Sequence, residues 1–298
     1  LPLVEGSSTT QTKEIARMVR LPHLLAALFA LVLATSSHAA GWQEHPEWGK
    51  VFADAHVHGT LMVYEEGSGT THVFDVTRAR KPYIPASTFK IFNAMVAIDT
   101  GAVADEFDPI AWDGKVRDMG GKPMVEWNRA NSLASGMRYS TVWLYQEVAR
   151  RAGQQRMQSW IDKAGYGNRD IGGGIDRFWL DGALRITAEQ QVAFLRRLAD
   201  GTLPFSARAQ EIARRITIYE AGTDYVLHAK TGWATHGAQN NADPAKADDI
   251  GWYVGWVEHG GKRWFFALNI DITKPEDGGN RVAIAREILG TMGAFGSR

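Results

Sequence analysis

IPASTFKIFNAMVAIDTGA (residues 84–102) opens with a proline and a serine and runs into an apolar helical pattern through Phe89, Phe92, Met95 and Val96. Ser87 and Lys90 stand at i and i+3, so on a helix they share a face. A serine hydroxyl is a weak nucleophile until a base takes its proton. A lysine one turn away is such a base only when uncharged, and apolar neighbours disfavour its ammonium form. S-x-x-K also arises by chance, with the serine as a cap and the lysine in water, so the tetrad needs support from the rest of the chain.

The 298 residues suffice to bury a sizeable core. A formal net charge of zero leaves no basic excess for a nucleic-acid partner. The absence of cysteine excludes disulfides, thiolate catalysis and cysteine-ligated zinc. Near the N-terminus, Met18-Val19-Arg20 precedes the apolar run LPHLLAALFALVLATSSHAA (21–40). That order is a secretory signal peptide over 18–39, cleaved after Ala39 or Ala40, and the run is short for a membrane anchor. Residues 1–17 read as upstream or appended sequence, and 40–298 as the mature domain, periplasmic or secreted.

GTLMVYEE (59–66) and THVFDV (71–76) alternate around a Gly-Ser-Gly turn and predict a hairpin. Residues 101–139 read as irregular with short helices. Helices are expected over 140–153 and 154–165, each ending at a glycine, and over 187–201, where Thr187 and Gln190 form a capping-box pattern. SARAQEIARRITIYEAG (206–222) predicts one more helix. YVLHAKTGW (225–233), DIGWYVGWVEH (249–259) and RWFFALNIDI (263–272) are β-rich, and 281–295 closes the chain as an amphipathic helix. Strands at both ends and helices between them predict an α+β (α/β/α sandwich-like) fold. A central antiparallel sheet is built from both chain ends around an inserted helical region. A cleft between sheet and insertion is the natural site.

HAKTGW (228–233) places Lys230-Thr231-Gly232 at the end of a predicted strand. Lysine and threonine there suit a substrate carboxylate, and glycine lets substrate approach the strand backbone. The Trp233 and Ser87 backbone N–H groups are candidate oxyanion donors. S-x-x-K followed by a strand-borne K-T-G marks serine acyl-transferases that handle β-lactams. The S-D-N of the class A branch is replaced by Ser140-Thr141-Val142, with no glutamate evident for a deacylating water.

With Tyr166-Gly167-Asn168, Phe178-Trp179-Leu180 and K-T-G-W in order, residues 45–292 resemble the class D, oxacillinase-type serine β-lactamases. The resemblance implies the serine β-lactamase/penicillin-binding transpeptidase fold and small β-lactam substrates such as penicillins and oxacillin. It implies Ser87 as the acylated nucleophile. Lys90, N-carboxylated by carbon dioxide or bicarbonate, is then the general base for both steps, with no other cofactor and no metal. Ser140 would relay a proton to the leaving nitrogen. Val142 and Trp179 would line the carbamate pocket, and Lys230, Thr231, Gly232 and Arg281 would bind substrate. A monomer or homodimer without a stable membrane anchor is expected. The polar stretch 234–249 is longer than the family's usual turn and is expected to overhang the site.

Two rivals have different chemistry. A β-lactam sensor or penicillin-binding protein carries the same motifs and acylates without turnover. His56 and His58 in DAHVHG (54–59) are two apart, on one strand face if extended, resembling the metal pair of zinc amidohydrolases, although the alternating βα pattern of a barrel is missing.

Overall fold

The computed structural model describes residues 42–235 and 248–296. Residues 1–17, the expected signal peptide over 18–39 and positions 236–247 of the long polar stretch lie outside the described residues.

The chain enters through a short strand, β1 (Trp42–Glu44), and a helix, α1 (Gly49–Asp54). The expected hairpin follows as β2 (Gly59–Glu65) and β3 (Thr70–Phe74), then α2 (Val76–Arg80). The S-x-x-K stretch begins as a 3-10 turn, Ala86–Phe89, and continues as α3 (Lys90–Asp99). The irregular region holds a two-stranded ribbon, β4 (Asp118–Met119) and β5 (Lys122–Pro123), and α4 (Leu133–Arg138). Next come α5 (Val142–Ala152), α6 (Gln154–Ala164), α7 (Ala188–Ala199) and α8 (Ala207–Ile216). The C-terminal part is β6 (Ile218–Ala221), β7 (Tyr225–Ala234), β8 (Asp249–His259), β9 (Lys262–Ile272) and α9 (Asn280–Thr291).

Seven strands form one sheet in the order β1-β3-β2-β9-β8-β7-β6. Both chain ends build it, as expected, and every pair is antiparallel except β1 with β3. Its central strands are covered on both faces, which is why β8 and β9 read as nearly continuous apolar runs. Alternate residues divide between two cores. Trp252, Val254, Trp256 and Phe265 join the inserted helices, while Tyr253, Val257, Phe266 and Leu268 join α1 and α9 through Phe52, Ile284 and Ile288.

The helix expected over 206–222 ends early. Thr217 Oγ1 donates to the Ala213 and Arg214 carbonyls (2.9 and 2.8 Å), and its own carbonyl accepts from Ala229 N at 2.9 Å. The β-branched run Ile216-Thr217-Ile218 then turns into β6, which covers the edge of β7. Helix α7 carries the capping box that its sequence announces. Thr187 Oγ1 accepts from Gln190 N and Gln190 Oε1 from Thr187 N, both at 3.0 Å. Because α7 packs on β2 and β9, Thr187→Ala is expected to cost about 1 kcal/mol. Thermal unfolding should show this as a drop of about 2–4 °C, with catalytic turnover unchanged.

Candidate active site

Three segments converge beside strand β7. The 3-10 turn Ala86–Phe89 brings Ser87, the α4–α5 connection brings Ser140, and β7 itself brings Lys230 and Thr231. In a 3-10 turn residues i and i+3 eclipse, so Ser87 and Lys90 stack more directly than an α-helix would place them. Lys90 Nζ lies 2.6 Å from Ser87 Oγ. The turn is locked from outside: Thr88 Oγ1 donates to the Pro85 carbonyl (2.7 Å) and accepts from Gln191 Nε2 (2.8 Å). Trp252 Nε1 donates to the Ile84 carbonyl at 2.9 Å. Gly232 has a specific steric reason. A β-carbon there would stand 3.0 Å from the Pro85 carbonyl oxygen and 3.1 Å from Thr88 Cγ2. The glycine therefore admits the serine turn against β7 and sets Trp233 beside it.

Backbone strain sits at both serines. Ala86, just before Ser87, has φ +49°, and Ser140 has φ +56°. Such conformations cost a non-glycine residue on the order of 1–3 kcal/mol and persist where the surroundings enforce them. Ser140 is so held between α4, capped by Ser132, and α5. Its Oγ accepts from Lys230 Nζ at 3.0 Å, and Lys230 also donates to the Thr231 carbonyl at 2.9 Å.

Lys90 is fully buried. Among the described residues it has no carboxylate partner; its other polar neighbour is the face of Tyr145, 5.7 Å away. Burial first, and then the Lys230 charge, hold its pKa well below the usual lysine value. Lys230 is brought down to about 7 by burial and the Arg281 charge. Burial brings Arg281 to about 10. Lys230 and Arg281 have no carboxylate partner among the described residues, which favours an anionic ligand.

Trp179 is fully buried, stacked on Phe89 (5.3 Å) and edge-on to Phe178 (4.9 Å). Its Nε1–H meets no acceptor among the described residues. A buried indole donor left this way is costly unless another group supplies the acceptor. Val142, half-buried, is the first residue of α5. Arg281 Nε donates to the Gly278 carbonyl (2.7 Å) and Nη1 to the Gly232 carbonyl (2.5 Å). Its guanidinium stands 5.3 Å from the Trp233 ring centroid, so it reaches the K-T-G strand partly committed to backbone. The indole Nε1 of Trp233 donates to Asp249 at 2.6 Å.

The histidine pair of DAHVHG does not share a strand face. His56, at φ +54°, and His58 are exposed in the turn between α1 and β2. No group of three or more His, Asp or Glu is arranged for a metal among the described residues. Among the described residues the later histidines are engaged elsewhere: His228 Nδ1 with the Arg214 carbonyl (2.9 Å), and His259 Nε2 with Asp224 (3.2 Å).

The penicillin binding protein transpeptidase domain family matches residues 59–290. β-Lactamase OXA-48 of Klebsiella pneumoniae is 39% identical over 262 residues, covering 88% of this chain and 94% of that protein. OXA-20 of Pseudomonas aeruginosa is 40% identical over 276 residues, covering 91% and 97%. The chain belongs to the class D β-lactamase family. Among solved structures, the class D β-lactamase YbXI from Nostoc superposes with a TM-score of 0.76 at 38% identity, covering 83% of this chain and 99% of that one. The class D enzyme FUS-1 (OXA-85) from Fusobacterium nucleatum subsp. polymorphum gives 0.78 at 33%, covering 85% and 100%. The α+β sheet-and-helix architecture is thus that of class D β-lactamases and the penicillin-binding transpeptidase domain.

Gln191 and Trp252 brace the serine turn, yet no local motif reveals them, because they act across long stretches of sequence. The buried lysine gives this class D chain a stability signature. Between the folded-state pKa of Lys90 and its ordinary value of 10.5, the unfolded state binds one more proton. Stability therefore rises with pH in that window. In buffer stripped of carbon dioxide, Lys90→Met is expected to be more stable than the native chain at pH 7, by about 1–4 kcal/mol. The gap should narrow toward pH 10.5. Denaturant titrations at several pH values measure it.

Proposed function

We propose that this chain is a serine β-lactamase that hydrolyses penicillin- and oxacillin-type antibiotics through an acyl-enzyme on Ser87, with N-carboxylated Lys90 as general base. One observation carries the reading: a buried lysine with no carboxylate partner among the described residues lies 2.6 Å from Ser87 Oγ. The orphaned indole N–H of Trp179 supports it, because that buried donor fits an acceptor on the lysine. Lys90 and Trp179 would hold the carbamate, with Val142 beside them. When bound, that group supplies a base able to serve both acylation and deacylation, which a chain without the class A glutamate requires.

The protein's own groups do the rest. Ser87 Oγ loses its proton and attacks the lactam carbonyl. The Ser87 and Trp233 backbone N–H groups would receive the developing oxyanion. Ser140, hydrogen-bonded to Lys230, delivers a proton to the departing nitrogen. With its pKa near 7, Lys230 is suited both to donating a proton and to attracting the substrate carboxylate. Thr231 and Arg281 complete the anion-binding side. Export to the periplasm or medium belongs to the same proposal. Among the described residues no helix is long and apolar enough to cross a membrane.

Sustained nitrocefin turnover by residues 40–298 that rises with bicarbonate is expected, with intact-protein mass spectrometry following the acyl-enzyme. Ser87→Ala should give no adduct. Lys90→Ala should lose about 10²–10⁴ in rate. A full-rate Lys90→Ala enzyme overturns the assignment. A single stoichiometric burst with a stable adduct identifies a sensor or penicillin-binding protein instead. Trp179→Phe, which removes the indole N–H together with part of the ring, should lower turnover at ambient carbon dioxide and recover in excess bicarbonate.

A further inference from the structure

Residues alternate between the two faces of the sheet along β7. Gly232 faces the serine turn on the side of the inserted helices, so Thr231 and Trp233 face the side of α9. Two glycines clear space there. A β-carbon on Gly251 would stand 2.6 Å from Arg281 Cδ, and one on Gly278 would stand 2.6 Å from Cζ3 of the Trp233 ring. The Arg281 stem therefore packs on β8 at Gly251, and the indole lies against the backbone of Gly278. The turn that carries Gly278 is itself fixed. The Asp277 carboxylate accepts from Thr273 N (3.1 Å), Thr273 Oγ1 (2.9 Å) and Lys274 N (3.2 Å).

Arg281 is held by four contacts. Nε donates to the Gly278 carbonyl and Nη1 to the Gly232 carbonyl. The stem rests on Gly251, and the guanidinium stands 5.3 Å from the Trp233 ring centroid. The first three contacts are to backbone and come with the fold. The fourth is to a side chain that is 37% exposed. An exposed indole keeps rotamer freedom unless its far end is tied. Asp249 ties it: Oδ2 accepts the Trp233 Nε1–H at 2.6 Å. Asp249 is the first residue of β8 and pairs with Ile272 of β9, so the tether is rooted in the sheet. An ionised acceptor makes the bond stronger than a neutral one.

We infer that Asp249 is a positioning residue for the carboxylate-binding side of the cleft: it fixes the Trp233 indole, and the indole holds the Arg281 guanidinium against the K-T-G strand. The inference rests on the β-lactamase reading above, in which Arg281 meets the substrate carboxylate. A guanidinium confined before binding has less freedom to lose when substrate arrives. Loss of the tether therefore weakens capture of the anionic substrate. The bond chemistry at Ser87 and Lys90 lies on the other face of the sheet and keeps its rate. The clamp acts on affinity and not on the limiting rate.

The test separates the two constants of nitrocefin acylation, the apparent Kd and the limiting rate, by stopped flow, with the adduct confirmed by intact-protein mass spectrometry. Acylation is read rather than turnover, so a sensor or penicillin-binding protein answers as well as a hydrolase. Asp249→Ala is expected to raise the apparent Kd about 3–10-fold, the usual contribution of one hydrogen bond, with the limiting rate unchanged. Asp249→Asn keeps a carbonyl acceptor and should recover most of the affinity. In a Trp233→Phe background, which already lacks the indole N–H, Asp249→Ala should add nothing. Gly278→Ala pushes the ring off its seat and should raise the apparent Kd with Asp249 intact. Native affinity in Asp249→Ala overturns the clamp. So does an equal loss in the Trp233→Phe background, or a loss confined to the limiting rate. A native chain that is not acylated at all is a different result: it removes the β-lactam reading and the clamp with it.

Discussion

An amine with no countercharge among the described residues, buried against a serine hydroxyl, is the constraint around which this protein is arranged. Lys90 is fully buried, and an ammonium there would face a desolvation cost of several kcal/mol with nothing to offset it. The amine is therefore driven toward its neutral form, the only form that takes a proton from serine or adds to carbon dioxide. The Lys90 amine faces the Tyr145 ring, and next to it in the chain Phe89 stacks on Trp179, an aromatic shell. That shell in turn requires the inserted helices to close over one face of the sheet.

The rest of the site follows from the same constraint. Placing the hydroxyl against the amine calls for an eclipsed 3-10 turn rather than a relaxed helix start. Keeping the turn in place takes Gln191, Trp252 and the side-chain-free Gly232. Lys230 and Arg281 then act at two levels. Their charges favour an anionic substrate, and each depresses the pKa of its inner neighbour, Arg281 that of Lys230 and Lys230 that of Lys90. Strain at Ala86 and Ser140 is the conformational cost of presenting two hydroxyls into one cleft.

Much of this was legible in the sequence because chemistry restricts residue type and spacing. Ser87, Lys90, Ser140 and the Lys230-Thr231-Gly232 run stand where their motifs place them, and the 59–74 hairpin and the Thr187 capping box carry their own local signals. What was hidden depends on partners distant in the chain. β1 and β6 are short edge strands whose existence is decided by β3 and β7. The 3-10 turn at Ser87 has no distinct composition. His56 and His58 mislead in the opposite sense: their spacing fits a strand face, but the chain is still turning there. Gly232 was read as opening the strand to substrate, whereas the structure shows the serine turn as what approaches it.

The central claim is that Lys90 is a neutral amine ready to take up carbon dioxide, and carbon-13 NMR of the protein equilibrated with labelled bicarbonate tests it most directly. The account predicts one protein-bound carbamate resonance in the native chain. It should be lost in Lys90→Ala and on acidification, and weakened in Trp179→Phe. A chain that turns over β-lactams at full rate under saturating bicarbonate with no such resonance would contradict it.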